Sequence, residues 1–208
     1  MSTWGLDGMG PPTRTVLILA FPDMEVLDYA GPYEVFNVAG ELSEPTAFRV
    51  HSVAVAPGPV VGRGGFTVLP DHTIDDHPPP DLVIIPGGAG SRRLLADDRL
   101  LDWVQAQAGR VEHLAAVCTG ALVLAAAGLL DGLEATTHHE AFGELARLSA
   151  STRIVRDARF VRSGPALWTS GGISAGIDLA LELVDLCAGP ATRAAVETEM
   201  EWGWPSEA

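Results

Sequence analysis

Residues 15–21, TVLILAF, form an apolar run with no alternation of polar and apolar positions. A strand wet on one face alternates with period two, so an unbroken run of this length belongs to a strand covered on both faces. Pro22-Asp23 ends it, and residues 28–38 (DYAGPYEVFNV) then show helical spacing that Gly40 is expected to stop. The succession recurs. Residues 81–85 (DLVII) read as another doubly covered strand, closed by Pro86-Gly87-Gly88, and residues 95–108 as the helix after it. Residues 111–117 read as a strand and 120–130 as a helix. Residues 48–55 add a strand, 60–69 a hairpin or excursion around Gly-Arg-Gly-Gly, and 153–169 short strands around Gly164. Residues 139–148, 173–187 and 191–200 read as helices. Buried strands alternating with helices imply right-handed crossovers between parallel strands. The expected fold is therefore an α/β sandwich: a mostly parallel sheet with helices on both faces.

The 208 residues suit one domain with a sizeable core, with residues 1–13 as a loose tail and 14–208 as a single domain. Apolar residues make up 47% and charged ones only 19%, which excludes a disordered chain. Net charge is −14, all 13 basic residues are arginine, and they form no basic stripe, so nucleic acid is not an expected partner. Apolar runs are broken by Gly, Asp or His before they span a bilayer, so no membrane partner is expected either. The first residues, MSTWGLDGMGPPTRT, lack the basic and apolar segments of a signal peptide. Two cysteines in apolar surroundings, Cys118 and Cys187, make no disulfide framework and fit the reducing cytoplasm.

Sites in parallel sheets gather at the carboxyl ends of strands. Three such ends carry unusual residues: FPDMEVLD, IIPGGAG and AVCTGA. In the last, Ala116 and Gly120 flank Cys118 as small neighbours do at a strained strand-to-helix elbow that presents a nucleophile. Thr119 heads the following helix, whose positive end is expected to lower the thiol pKa, with the Thr119 N–H facing charge on a substrate. A buried, inert cysteine is the alternative, and the local spacing leaves both open. For Cys187, at the end of an apolar helix, the inert role is expected. Gly87 and Gly88 let backbone approach a ligand closely, and the Gly88 N–H is a candidate second oxyanion donor. Of Asp23, Glu25 and Asp28, any may be read as a helix cap, but Asp28 sits among Val26, Leu27, Tyr29 and Ala30. Burial there raises its pKa, and beside a thiol the two groups would share one proton. None of the six histidines follows His139, which excludes the late-histidine triads of amidotransferases and α/β-hydrolases. His138 is a candidate pocket wall. No His-x-x-x-His and no second cysteine near the first is present, so no metal is expected. Asp178, Glu182 and Asp185 share a helix face and read as a solvated stripe; Trp202 and Trp204 read as core seals or subunit contacts.

The stretches FPDMEVLDYAGPYEVF, IIPGGAG, AVCTGALVLAAAGLLDGLEATTH and TSGGISAGIDLALEL resemble the ThiJ/PfpI (class I glutamine-amidotransferase-like) superfamily over residues 15–200, and within it the isonitrile hydratase branch. The resemblance implies a flavodoxin-like sandwich, usually a homodimer, that acts on a small molecule without a cofactor. It implies Cys118 as nucleophile and Asp28, four residues before Pro32, as its acidic partner. Asp rather than Glu at that position, with Thr119 after the cysteine, is the hydratase pattern. The implied reaction is hydration of isonitriles to N-substituted formamides. Two other readings share the same cysteine: a cofactor-free glyoxalase-like or deglycase-like enzyme, and a non-catalytic ligand-binding or redox-sensing module. Sensor relatives append a DNA-binding helix pair, for which the residues up to 208 leave no room.

Overall fold

The computed structural model describes residues 12–204. Of the tail expected over residues 1–13, all but Pro12 and Thr13 lies outside the described residues, and the Thr13 hydroxyl donates to the Thr46 carbonyl. β1 (Arg14–Ala20) leads to α1 (Val26–Glu41) and β2 (Phe48–Ala54). An excursion follows with the hairpin β3 (Val60–Val61) and β4 (Thr67–Val68), then the edge strand β5 (His72–Thr73). Next come β6 (Leu82–Ile85), α2 (Ser91–Leu94), α3 (Asp98–Ala108), β7 (His113–Ala116) and α4 (Gly120–Ala126). The chain finishes with β8 (Glu134–Ala135), α5 (Phe142–Leu148), β9 (Arg153–Ile154), β10 (Phe160–Arg162), β11 (Leu167–Ser170), α6 (Ala175–Ala188) and α7 (Pro190–Glu199).

The main sheet has seven strands in the order β10-β11-β7-β6-β1-β2-β5. Its pairs are parallel except for β10 against β11. The mostly parallel α/β architecture read from the sequence is the one observed. Val16, Leu17, Ile18, Leu19, Leu82, Val83, Ile85 and Ala115 are all fully buried. Helices cover both faces of these strands, which is why their sequences show no alternation. Each large aliphatic side chain so buried contributes roughly 1.5–3 kcal/mol.

Connection handedness sorts the helices. The step from β1 to β2 runs one way along the sheet and the step from β6 to β7 the other. Right-handed crossovers therefore place α1 and α3 on opposite faces. α6 and α7 pack with α1, whereas α2, α4 and α5 gather on the side of α3. Because the direction reverses between β1 and β6, the connections diverge there and leave a crevice beyond the carboxyl ends of the strands. Among the described residues no helix is long and apolar enough to cross a membrane.

Several boundaries differ from expectation, each for a local reason. Gly40 does not stop α1; it lies inside the helix where a Cβ would come 2.4 Å from the Phe48 carbonyl oxygen, so it is a close-approach point for β2. The helix expected over 95–108 starts at Asp98, because the Asp97 carboxylate accepts the Leu100 N–H and caps it. The one expected over 120–130 ends at Ala126, ahead of Gly128 at φ +71°. The two-residue strands β5 and β8 carry no readable signal. The carboxylates expected as a solvated stripe on α6 are in fact paired: Asp178 with Arg159, and Glu182 and Asp185 with Arg193 of α7. The Trp202 indole also donates to Asp178.

Candidate active site

Four strand ends meet at the crevice. Cys118 follows β7 and has φ +57°, the left-handed backbone of a sharp elbow, which costs a side-chain-bearing residue roughly 1–3 kcal/mol. Its N–H is shared between the carbonyls of Ser170 and Gly171 after β11, at 3.2 Å each. The turn needs Gly120 beneath it, since a Cβ there would lie 2.2 Å from the Ile85 carbonyl oxygen.

Asp28 reaches the elbow from the first turn of α1 and is fully buried. Its two oxygens accept the backbone N–H groups of Gly87 (3.1 Å) and Ile173 (3.0 Å). Gly87 must lack a side chain: a Cβ there would sit 2.5 Å from the Thr119 nitrogen and 2.9 Å from Asp28 Oδ2. The carboxyl and the Cys118 thiol are hydrogen-bonding neighbours. Burial drives the carboxyl up from 3.8 to about 7, against the opposing pull of hydrogen bonds from Cys118 and Gly87. Burial also pushes the Cys118 thiol up to about 12, helped by the charge of Asp28 and resisted by the Thr119 N–H. The lowered thiol pKa expected from the helix end is therefore not what the site has. Two negative charges cannot coexist in this buried space, and the pair keeps at least one proton at neutral pH.

Thr119 is the hub of the opposite wall. Its hydroxyl accepts from Gly88 N–H (2.9 Å) and buried Ser91 Oγ (3.0 Å), and lies 3.1 Å from the Gly88 carbonyl. The Thr119 N–H faces the Cys118 sulfur, as the elbow geometry requires. The Gly88 N–H does not take the role expected of it, because it is already bound to the Thr119 hydroxyl. Gly88 instead shapes the loop at φ +122°, bridging to Met24.

Cys118, Thr119 and Gly88 line a cavity of about 200 Å³ with Glu25, Arg63, Ala89, Arg92, His138 and Ile173 at its walls, whereas Asp28, Gly87 and Ser91 are buried outside this lining. His138 thus reaches the cavity, and its Nδ1 faces the Glu140 N–H at 3.4 Å. Two residues of the site, Ile173 on the cavity wall and the buried Ser91 beside Thr119, carried no sequence signal as site residues. Ile173 reads as the start of a helix, yet it is a β-branched residue at φ +58° whose N–H holds Asp28. Ser91 reads as an ordinary loop serine, yet it is fully buried and locks Thr119. Cys187 is far from this cavity, beside Arg14, where burial pushes its thiol up to about 11.

A family model described as the DJ-1/PfpI family matches residues 14–186. Isonitrile hydratase of Pseudomonas putida is 38% identical over 187 residues, covering 88% of this chain and 76% of that protein. The HTH-type transcriptional regulator GbdR of Pseudomonas aeruginosa is 31% identical over 180 residues, and the chain spans about half its length (48%). Among solved structures, a ThiJ/PfpI family protein from Pseudomonas syringae superposes with a TM-score of 0.83 at 26% identity, covering 100% of this chain and 84% of that one. Drosophila melanogaster DJ-1beta, at 22% identity and a TM-score of 0.79 over 91% of this chain and 98% of its own, shares the fold.

Proposed function

The chain belongs to the DJ-1/PfpI family, and from that premise we propose that it is a cysteine-dependent enzyme hydrating isonitriles to N-substituted formamides. The observation that carries this reading is the fully buried Asp28 carboxyl beside the Cys118 thiol at the elbow, within hydrogen-bonding reach of it. The identity with Pseudomonas putida isonitrile hydratase supports it.

An isonitrile carbon accepts a nucleophile and then needs a proton. In the proposed cycle the thiol proton passes to Asp28, and the Cys118 sulfur forms a bond to the terminal carbon. Asp28 returns the proton to that same carbon, giving a thioimidate, R–N=CH–S–Cys118. Water adds to the carbon, its proton going by way of Asp28 to nitrogen. The C–S bond then breaks, releasing R–NH–CHO and restoring the thiol. One water is consumed per isonitrile and no redox change occurs. The Thr119 N–H steadies the sulfur when it carries charge and when it leaves.

The test is a panel of alkyl and aryl isonitriles and methylglyoxal, offered to wild type and Cys118→Ala, with formamide and lactate read by chromatography. Formamide from wild type alone is the expected result. Lactate without formamide would replace this reading with the glyoxalase-like one, and no turnover of either would leave a binding or sensing role.

A further inference from the structure

The turn His139–Ala141 and its cap His138 set two imidazoles and a carboxylate side by side, with His138 and Glu140 at the rim of the Cys118 cavity and His139 lining a neighbouring one. Ligating atoms of His138, His139 and Glu140 all lie within 4.8 Å of one another. Among the described residues, no other trio of His, Cys, Asp and Glu converges in this way. The two rings stand 4.3 Å apart, centre to centre, and 38° from parallel. His138 Nδ1 lies 3.9 Å from Glu140 Oε2 and accepts the Glu140 N–H in a long, 3.4 Å hydrogen bond that an ion on Nδ1 would displace. The His138 ring packs against Gly172, where a Cβ would fall 2.2 Å from its Cδ2. His139 and Glu140 are exposed and free to close inward. The neighbouring arginines are already engaged: Arg92 with Glu144, Arg159 with Asp178, and Arg156 over the Phe142 ring. The pattern escapes a sequence search for helical ligand spacing because its ligands are consecutive on a turn.

We propose that His138, His139 and Glu140 form a binding site for a borderline divalent cation of the Zn2+ type, which closes the Cys118 cavity when occupied. Two imidazoles and one carboxylate suit such an ion, which binds N and O at about 2.0–2.2 Å. Closing the trio onto an ion needs rotation of the two exposed side chains and release of the long Glu140 N–H contact to His138 Nδ1. His138 and Glu140 line the same cavity as Cys118, so the ion stands in the path of a substrate. The site is regulatory: the ion takes no part in the reaction. Its effect on turnover rests on the hydratase reading; its binding does not.

Binding is therefore measured first without the thiol. Zinc chloride titrated calorimetrically into the full-length, untagged Cys118→Ala protein should bind at one site. Adding His139→Ala, or His139→Gln should the first variant fold poorly, should weaken binding at least about tenfold, as loss of a ligand does. A His51→Ala control should bind as before. In wild type, Zn2+ should inhibit isonitrile turnover and a chelator restore it, whereas His139→Ala should keep basal turnover and lose the inhibition. No binding by the Cys118→Ala protein would place the ion on the thiol and overturn the proposal, as would binding that survives loss of His139.

Discussion

Replacing Asp28 by Asn tests the buried proton directly. The folded-state value of this carboxyl is raised, from 3.8 to about 7, mainly by burial. A raised acid favours the folded state in its protonated form. That contribution is fully present below pH 3.8 and is lost as the pH climbs through about 7. The gap between the two values corresponds to about 4 kcal/mol. Asn keeps the shape and cannot ionise. Its oxygen accepts one of the two N–H groups, from Gly87 or Ile173, but its amide opposes the other. That mismatch costs roughly 1–3 kcal/mol at every pH. The variant should therefore be less stable than wild type at pH 4.5 and more stable at pH 8.5, with the curves crossing between. For a chain of this size each kcal/mol moves the melting temperature by about 2–4 °C, so scanning fluorimetry from pH 4.5 to 8.5 resolves the crossing. Activity should fall by about 10²–10⁴-fold, the usual worth of a general acid, with the far-ultraviolet dichroism unchanged. A stability difference that stays constant across this range would refute the shared-proton account.

Three further outcomes follow from the same geometry. The reactive form carries one proton on the Cys118–Asp28 pair, so kcat/KM for an isonitrile should rise as the pH passes about 7 and then level off; a fall through that value would contradict the proton count. Gly87→Ala forces a Cβ to 2.5 Å from the Thr119 nitrogen and should cost roughly 3 kcal/mol, measured by urea unfolding, together with most activity. Thr119→Val strips the partner from the Gly88 N–H, leaving the Ser91 hydroxyl only the Gly88 carbonyl, and should cost about 1–3 kcal/mol, whereas Thr119→Ser restores the hydroxyl and should lie close to wild type.

The fold was legible where burial dictates composition. TVLILAF and DLVII announce strands covered on both faces, and covered strands imply the helical layers that cover them. Asp28, Gly87 and Cys118 could be nominated because each sits at the end of such a strand, where the topology must bring them together. What stayed hidden depends on distances between segments far apart in sequence. Nothing around Gly88 says that its N–H is spent on the hydroxyl 31 residues away. Nothing in GGIS says that Ile173, not a glycine, takes the left-handed backbone and holds Asp28 from 145 residues away. The glycines were readable as turns, but Gly40 and Gly87 owe their identity to neighbouring backbone and side chains.

The magnitudes also decide what activates the sulfur. The helix behind Cys118 has only seven residues, and a helix end favours a negative charge by typically 0.3–1 kcal/mol, at most about 2. Against it, burial and the Asp28 charge push the thiol up even with the Thr119 N–H opposing them. The helix end loses that contest, so a standing thiolate beside an ionised Asp28 is not the resting state. The proton that the sulfur gives up must stay on Asp28, within reach of the carbon that needs it. This matches the electronic demand of an isonitrile, whose single carbon receives both the nucleophile and the proton. The proposed first steps thus move a proton from sulfur to carboxyl to carbon without its entering bulk water. If proton delivery limits the rate, turnover should slow in deuterium oxide at matched plateau pH, because the transferred proton is then a deuteron. Single-turnover measurements in the two solvents would read it. With thioimidate formation shown to be rate-limiting, equal rates in the two solvents would mean that the proton is not in flight at the limiting barrier, and the coupling between Asp28 and Cys118 would fail.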